Sequence, residues 1–208
     1  MPRTRQMRRP RGRTKQLALE IAERIVAIEG VEGLKLKKIA DEIGIQVPSL
    51  YKQFDGRDAI LRALSEKYIA NLALQFEFDD LDDPQAVMVR SVRDLVELYA
   101  RHPAWMRLQL RDYSSAEGVE ALSRYTGGIA KLATKGHLKG FSTRVRRILQ
   151  KGAETGAFRD VMDVDFINLL FGTVCFQVNW FGGKVPNKQK IERLQDVTVD
   201  MTLRFLKP

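Results

Sequence analysis

The sequence predicts an all-α protein in two parts: a small N-terminal three-helix unit containing a helix-turn-helix, and a larger helical domain behind it. Three observations carry this. KQLALEIAERIVAIEG repeats apolar residues at three- and four-residue spacing, two short helical patterns meet at Gly44, and from Pro84 onward the chain returns to helical periodicity between proline and glycine breaks. With 208 residues, 44% of them hydrophobic, a small domain joined to one sizeable core is within reach.

Residues 1–13 read as a flexible basic arm. Arg3, Arg5, Arg8, Arg9, Arg11, Arg13 and the following Lys15 supply +7 of the formal charge of +9, with no acid among them. Pro2, Pro10 and Gly12 and the lack of apolar periodicity leave the arm without a core to fold on, and its charge attracts polyanions. Arg11 and Arg13 are its residues nearest the folded unit and candidates for contact with such a polyanion. FEFDDLDDPQ, at 76–85, carries five acids and no base, so that region is a poor place for a phosphate backbone.

The unit expected over 14–60 begins with a helix from Thr14, apolar through Leu17, Ala18, Ile21, Ala22, Ile25, Val26 and Ile28 and ending near Gly30. A short second helix then turns Leu36, Ile39, Ala40 and Ile43 inward and leaves Lys35, Lys37 and Lys38 outside. Gly44 can close it in the left-handed conformation, and Ile45 turns inward behind it. A third helix starts near Gln46 or Val47, with Pro48 tolerated in its first turn. Leu50 and Phe54 face the core, Tyr51 lies at the margin, and Gln46, Val47, Ser49, Lys52 and Gln53 point elsewhere. Asp55 is the expected N-cap of a fourth helix, which runs from about Arg57 towards Phe76 with Asp58 in its first turn.

Two short helices joined at a tight corner present the second one's outer residues as a ridge that fits a major groove roughly 12 Å wide. Gln, Ser, Lys and Tyr on that ridge offer amide and hydroxyl groups to bases and charge to phosphates. The same residues carry a resemblance. Ile39-Ala40, Gly44-Ile45 and Ser49-Leu50-Tyr51-Lys52-Gln53-Phe54 closely resemble the N-terminal domain of the TetR (tetracycline-repressor-like) transcriptional regulators, over roughly residues 14–61. The resemblance implies that Gln46, Val47, Pro48 and Ser49 begin a recognition helix. It also implies that Tyr51 and Lys52 approach the backbone or nearby bases, and that Arg57 contacts phosphate. Lys35 stands where the family commonly caps the second helix with Ser or Thr, so the cap is lost and a cation for phosphate is gained; Lys37 is placed with it. Val47 and Pro48 offer few hydrogen bonds, so base reading leans on Gln46, Ser49, Lys52 and apolar contact with thymine methyls.

Residues 61–208 read as a helical ligand-binding and dimerisation domain. Pro84 and Pro103 open helices separated near Arg101 and His102, and further patterns run over 116–135, 143–154, 163–181 and 187–206, with Gly140 and Gly156 as boundaries. Acids such as Glu97 and Asp112 are not paired with a histidine at catalytic spacing, and Ser114-Ser115 lacks a nucleophile-elbow context, so no enzyme, cofactor or metal is expected. Cys175, the single cysteine, cannot form an internal disulfide, and no apolar run long enough to span a membrane is present, which places the expected protein in the cytoplasm. Trp105, Met106, Leu110 and Tyr113, with Phe76, Tyr99, Phe171 and Cys175, are candidates to line a small-molecule pocket; Gln109, His137 and Gln177 are candidates to orient the ligand.

The family resemblance implies a homodimer on palindromic or pseudopalindromic double-stranded DNA, released by a small-molecule effector. The apolar runs DFINLLFGTVCFQVNWFGG and NKQKIERLQDVTVDMTLRFLK are then expected to meet their twins through Phe166, Leu170, Val174, Val178, Leu194, Val197, Met201 and Phe205. The alternative is a helical scaffold whose basic arm binds polyanions without sequence preference.

Overall fold

Helix α1 (Arg11–Glu29) starts three residues ahead of its expected position. Arg, Thr, Lys and Gln sustain a helix that the single Gly12 does not interrupt, so Arg11 and Arg13 belong to α1 rather than to a flexible arm. The computed structural model describes residues 11–73, 83–114 and 137–208, and all regular structure among them is helical. The inward face of α1 is Ala18, Ile21, Ala22, Ile25, Val26 and Ala27. Leu17 is half-buried, and Ile28, expected inward, is exposed because the turn at Gly183 covers the Ala27 side of the last turn instead.

A single turn of 3-10 helix (Val31–Gly33) leads to α2 (Leu36–Ile43), which buries Ile39, Ala40 and Ile43. Lys35 occupies its N-cap with no side-chain bond, as the loss of Ser or Thr there implies. Gly44 closes α2 at φ 76° and ψ 40°, its amide reaching Ala40 O and Asp41 O, and Ile45 N follows to Ala40 O at 2.9 Å. Only a residue without Cβ takes that conformation cheaply, and it turns the chain into α3 (Val47–Tyr51). Leu50 and Phe54 are buried beneath it. Helix α4 (Gly56–Ala73), with Asp58 in its first turn, buries Ile60, Leu61, Leu64, Tyr68 and Leu72 and carries the chain out of the small unit.

In the larger domain, α5 (Pro84–Arg101) has Pro84 in its first turn and is capped by Asp83, whose carboxylate accepts from the amides of Gln85 at 3.1 Å and Ala86 at 3.3 Å. Helix α6 (Pro103–Ser114) follows after His102 and packs on α1. The segment 116–135 lies outside the described residues. Helix α7 (His137–Glu154) starts before the expected Thr143, and Gly140, read as a boundary, lies inside it. Helix α8 (Asp163–Asn179) packs on α5, α6 and α7. Helix α9 (Lys188–Leu206), capped by Asn187 Oδ1 at 3.0 Å from Lys190 N, packs mainly on α5 and also on α8. One apolar core runs from α1 to α9. At its centre rings stack in sequence: Tyr68 on Trp105 at 5.2 Å, Trp105 on Tyr99 at 4.6 Å, then Phe171 at 5.8 Å from Tyr99.

Candidate nucleic-acid interface

The outward side of α3 follows from what lies beneath it. Burial of Leu50 and Phe54 fixes the helix's rotation, leaving Gln46, Pro48, Ser49, Tyr51 and Lys52 exposed around its outward side. The backbone carbonyl of Gln46, the extended residue just before the helix, accepts from Ser49 N at 2.8 Å, so its side chain stands at the leading end of the ridge. Val47 is half-buried against the core, so less of it faces outward than expected. Lys35 and Lys37 are exposed on α2 and Arg13 on α1; Arg11 begins α1. Lys15 Nζ lies 5.7 Å from the Phe54 ring centre, which ties the start of α1 to the far end of the α3 segment. The unit is cross-braced by ion pairs between Arg24 and Glu42 and between Lys38 and Glu29.

Arg57 is placed differently from the resemblance. Its Nε donates to Leu34 O at 3.1 Å and its Nη2 to Val31 O at 2.6 Å, with Glu32 at 3.4 Å. The guanidinium therefore clamps the start of α4 to the link between α1 and α2, and these carbonyls engage two of its donors.

A second polar group joins the small unit to the larger domain, and sequence reasoning did not find it. Glu23 of α1 accepts from His102 Nδ1 at 3.0 Å and from Lys67 Nζ at 2.8 Å. Burial alone would raise its pKa, but the hydrogen bonds, with the Lys67 charge, outweigh burial and hold it at about 2. Tyr68 beside it is pushed well above the ordinary phenol value, first by burial and then by its contact with Glu23. The partners of Glu23 come from α4 and from the α5–α6 junction, so no local spacing signals the group.

The expected pocket residues split. Tyr99, Trp105, Met106, Phe171 and Cys175 come together as closely packed core. Gln109 Oε1 sits among them, accepting from Tyr99 Oη at 2.7 Å and facing Cys175 Sγ at 3.5 Å. Burial pushes the Cys175 thiol up to about 12. Gln177 is half-buried on α8, Leu110 and Tyr113 lie in α6, His137 begins α7, and Phe76 lies outside the described residues. Surface hollows lie elsewhere, one of about 520 Å³ along Val89, Arg90 and Arg93, another of about 280 Å³ along Leu149, Asp160 and Val161.

Half of the residues expected at an interface between copies are taken up by the chain's own core. Phe166, Leu170, Val174 and Val178 are buried in the chain's own core. The opposite face of α8 is the exposed one, with Leu169 at 40% and Phe176 at 70%, and Trp180 just beyond it at 87%. On α9, Val197 and Met201 are exposed, at 44% and 45%, Leu194 and Phe205 are half-buried, and the buried row is largely polar: Gln195, Thr198 and Thr202. Gln195 Nε2 donates to Arg93 O at 3.0 Å and Thr198 Oγ1 to Leu194 O at 2.7 Å, so these polar groups are satisfied inward while apolar ones face out. No helix among the described residues is long and apolar enough to cross a membrane.

Residues 18–64 match the family model for bacterial regulatory proteins of the tetR family. No curated protein matches the chain. Among solved structures, a bacterial regulatory protein in the tetR family from Rhodococcus RHA1 superposes with a TM-score of 0.73 at 14% identity, covering 93% of this chain and 97% of that one. The TetR-family transcriptional regulator PfmR from Thermus thermophilus does so at 0.66 and 20%, over 94% and 100%. A TetR/AcrR-family regulator from Thermobifida fusca does so at 0.61 and 15%, over 93% and 96%. Residues 18–64 are therefore similar to the N-terminal domain of bacterial regulatory proteins of the tetR family, and the chain shares an all-α fold with solved structures of that family.

Proposed function

We propose that this DNA-binding regulator is a repressor that binds a pseudopalindromic duplex as a homodimer and is released by a small molecule. The observation that carries the reading is the outward set Gln46, Ser49, Tyr51 and Lys52, held on α3 by the buried Leu50 and Phe54. Gln46 and Ser49 at the leading end of the helix suit base edges; Tyr51 and Lys52 further along suit the backbone. The dimer is supported by the inverted polarity of α9 together with the exposed aromatic face of α8, an arrangement that a lone chain gains nothing from. Release is read from the Tyr99–Gln109–Cys175 group, a polar set inside a closely packed aromatic core, which a small molecule enters only by opening that packing and exchanging one set of hydrogen bonds for another. Such a ligand weakens DNA binding only by preferring the conformation that fits DNA less well.

The test is selection of bound duplexes from a random pool by the full chain, followed by variants. Two related, inverted half-sites are expected, centred roughly 10 base pairs apart or a multiple of that. Gln46→Ala and Ser49→Ala should change the preferred bases, while Tyr51→Ala should weaken all duplexes alike. Binding that is indifferent to sequence and lost with residues 1–10 would retire the reading in favour of a scaffold with a polyanion-binding arm.

A further inference from the structure

The last turn of α1 is seated on the larger domain at a joint built from three elements. The carbonyl of Ala27 is among the last four of α1, which have no amide of their own helix to meet. The turn after α8 comes down on that carbonyl. Gly183, buried and at φ 83°, lies so close that a Cβ there would stand 1.7 Å from Ala27 O and 2.7 Å from its carbonyl carbon. Arg107 of α6 fills the remaining side: its Nη2 is 3.4 Å from the same Cβ position and its Nη1 is 4.0 Å from the one at Gly30. Its Nε is buried without a hydrogen-bond partner. A guanidinium there faces the negative end of the α1 dipole, a reason for a cation at this spot other than a carboxylate partner.

The turn that makes this contact is stiff. Phe181 N bonds Val178 O, Gly182 N bonds Asn179 O and Lys184 N bonds Phe181 O, each at 3.1 Å. It also continues directly from the exposed face of α8, whose last member, Trp180, stands three residues before Gly183. Whatever covers that face is thereby one rigid turn away from the carbonyl end of α1, the helix on which α2 is packed and, through α2, α3.

We propose that Gly183 and Arg107 are positioning residues for DNA reading: through them, association of two chains along α8 and α9 fixes the separation of the two α3 helices and hence the half-site spacing the protein accepts. This rests on the paired half-site reading above. The geometry supplies the scale. Bringing a Cβ at 183 out from 1.7 Å to ordinary contact distance displaces the end of α1 by about 1.7 Å, and the same shift in both chains is comparable to one base-pair rise of roughly 3.4 Å.

Two neighbouring glycines make the test clean. Gly182, at φ 57°, shares the left-handed strain, but a Cβ there meets nothing within 4 Å. Gly183→Ala and Gly182→Ala are compared with the unaltered chain by light scattering, helical content and affinity for the selected palindrome with its spacer lengthened or shortened one base pair at a time. Gly183→Ala is expected to keep dimer mass and helicity, lose about tenfold in affinity for the original palindrome and regain it on a changed spacer, while Gly182→Ala binds as the unaltered chain does. Should Gly183→Ala not fold, Arg107→Met replaces it, and is expected to bind spacers one base pair apart with nearly equal affinity. Unchanged affinity and spacer preference in the folded variant, or an equal loss in Gly182→Ala, overturns the proposal while the paired half-sites stand. An unaltered chain that selects no paired half-sites overturns the repressor reading itself, and this one with it.

Discussion

Glu23→Gln tests the charge that joins α1 to the larger domain. Four-fifths of the Glu23 side chain is out of water, since it is 20% exposed, and its carboxylate bridges His102 and Lys67. Its pKa falls from 4.5 to about 2 on folding, although burial alone would raise it, because the hydrogen bonds from His102 and Lys67 favour the ionised form. A value depressed in the folded state stabilises the protein fully above the unfolded value, and the contribution is lost as pH falls from about 4.5 towards 2. At roughly 1.4 kcal/mol per tenfold change in proton affinity, the full effect is about 3 kcal/mol, and the residual exposure brings the expectation to about 2–3 kcal/mol near neutral pH. Urea denaturation of both proteins, at one chain concentration and a series of pH values, reads it. The variant should be less stable by that amount at neutral pH, with the gap narrowing as the medium is acidified below about pH 4.5. Equal midpoints at neutral pH, or a gap that stays constant into acid, would refute the reasoning.

Arg57→Ala should cost stability, about 1.5–3 kcal/mol, because the carbonyls of Val31 and Leu34 lose charged donors; thermal melting checks it, and an unaltered melt with weakened DNA binding would return Arg57 to a phosphate. Phe176→Asp or Val197→Asp should give a folded monomer by light scattering and circular dichroism, because both side chains lie on the exposed face. Phe166→Asp, by contrast, places a charge in the chain's own core and should prevent folding. Cys175, with its thiol pushed up to about 12 by burial, should react with a disulfide reagent only as the protein unfolds, so labelling should rise along the denaturation curve rather than in the native baseline.

Most of the helix-turn-helix was legible because its determinants are local. Gly44 must turn the chain, Leu50 and Phe54 are one helical turn apart, and Pro48 fits only a first turn, so the outward side of α3 follows from sequence once those are placed. The helices opening at Pro84 and Pro103 were legible for the same reason. Three matters were left to tertiary structure. Arg57 and Glu23 found partners 23 to 79 residues away, which no periodicity encodes. Helix α8 is apolar on both sides, so its pattern could not say which side closes the core; packing against α5, α6 and α7 chose Phe166, Leu170, Val174 and Val178 and left Phe176 and Trp180 outside. Helix α9 reversed the usual inference altogether, since Thr198, Thr202 and Gln195 are buried and Val197 and Met201 turn to the surface, with Gln195 and Thr198 bonded to backbone carbonyls. Among the described residues, the sequence by itself determined most of the helical segments and which residues of the short third helix are exposed. The tertiary structure decided which apolar faces remain uncovered and how the two domains are held, because those depend on neighbours brought together only by the fold.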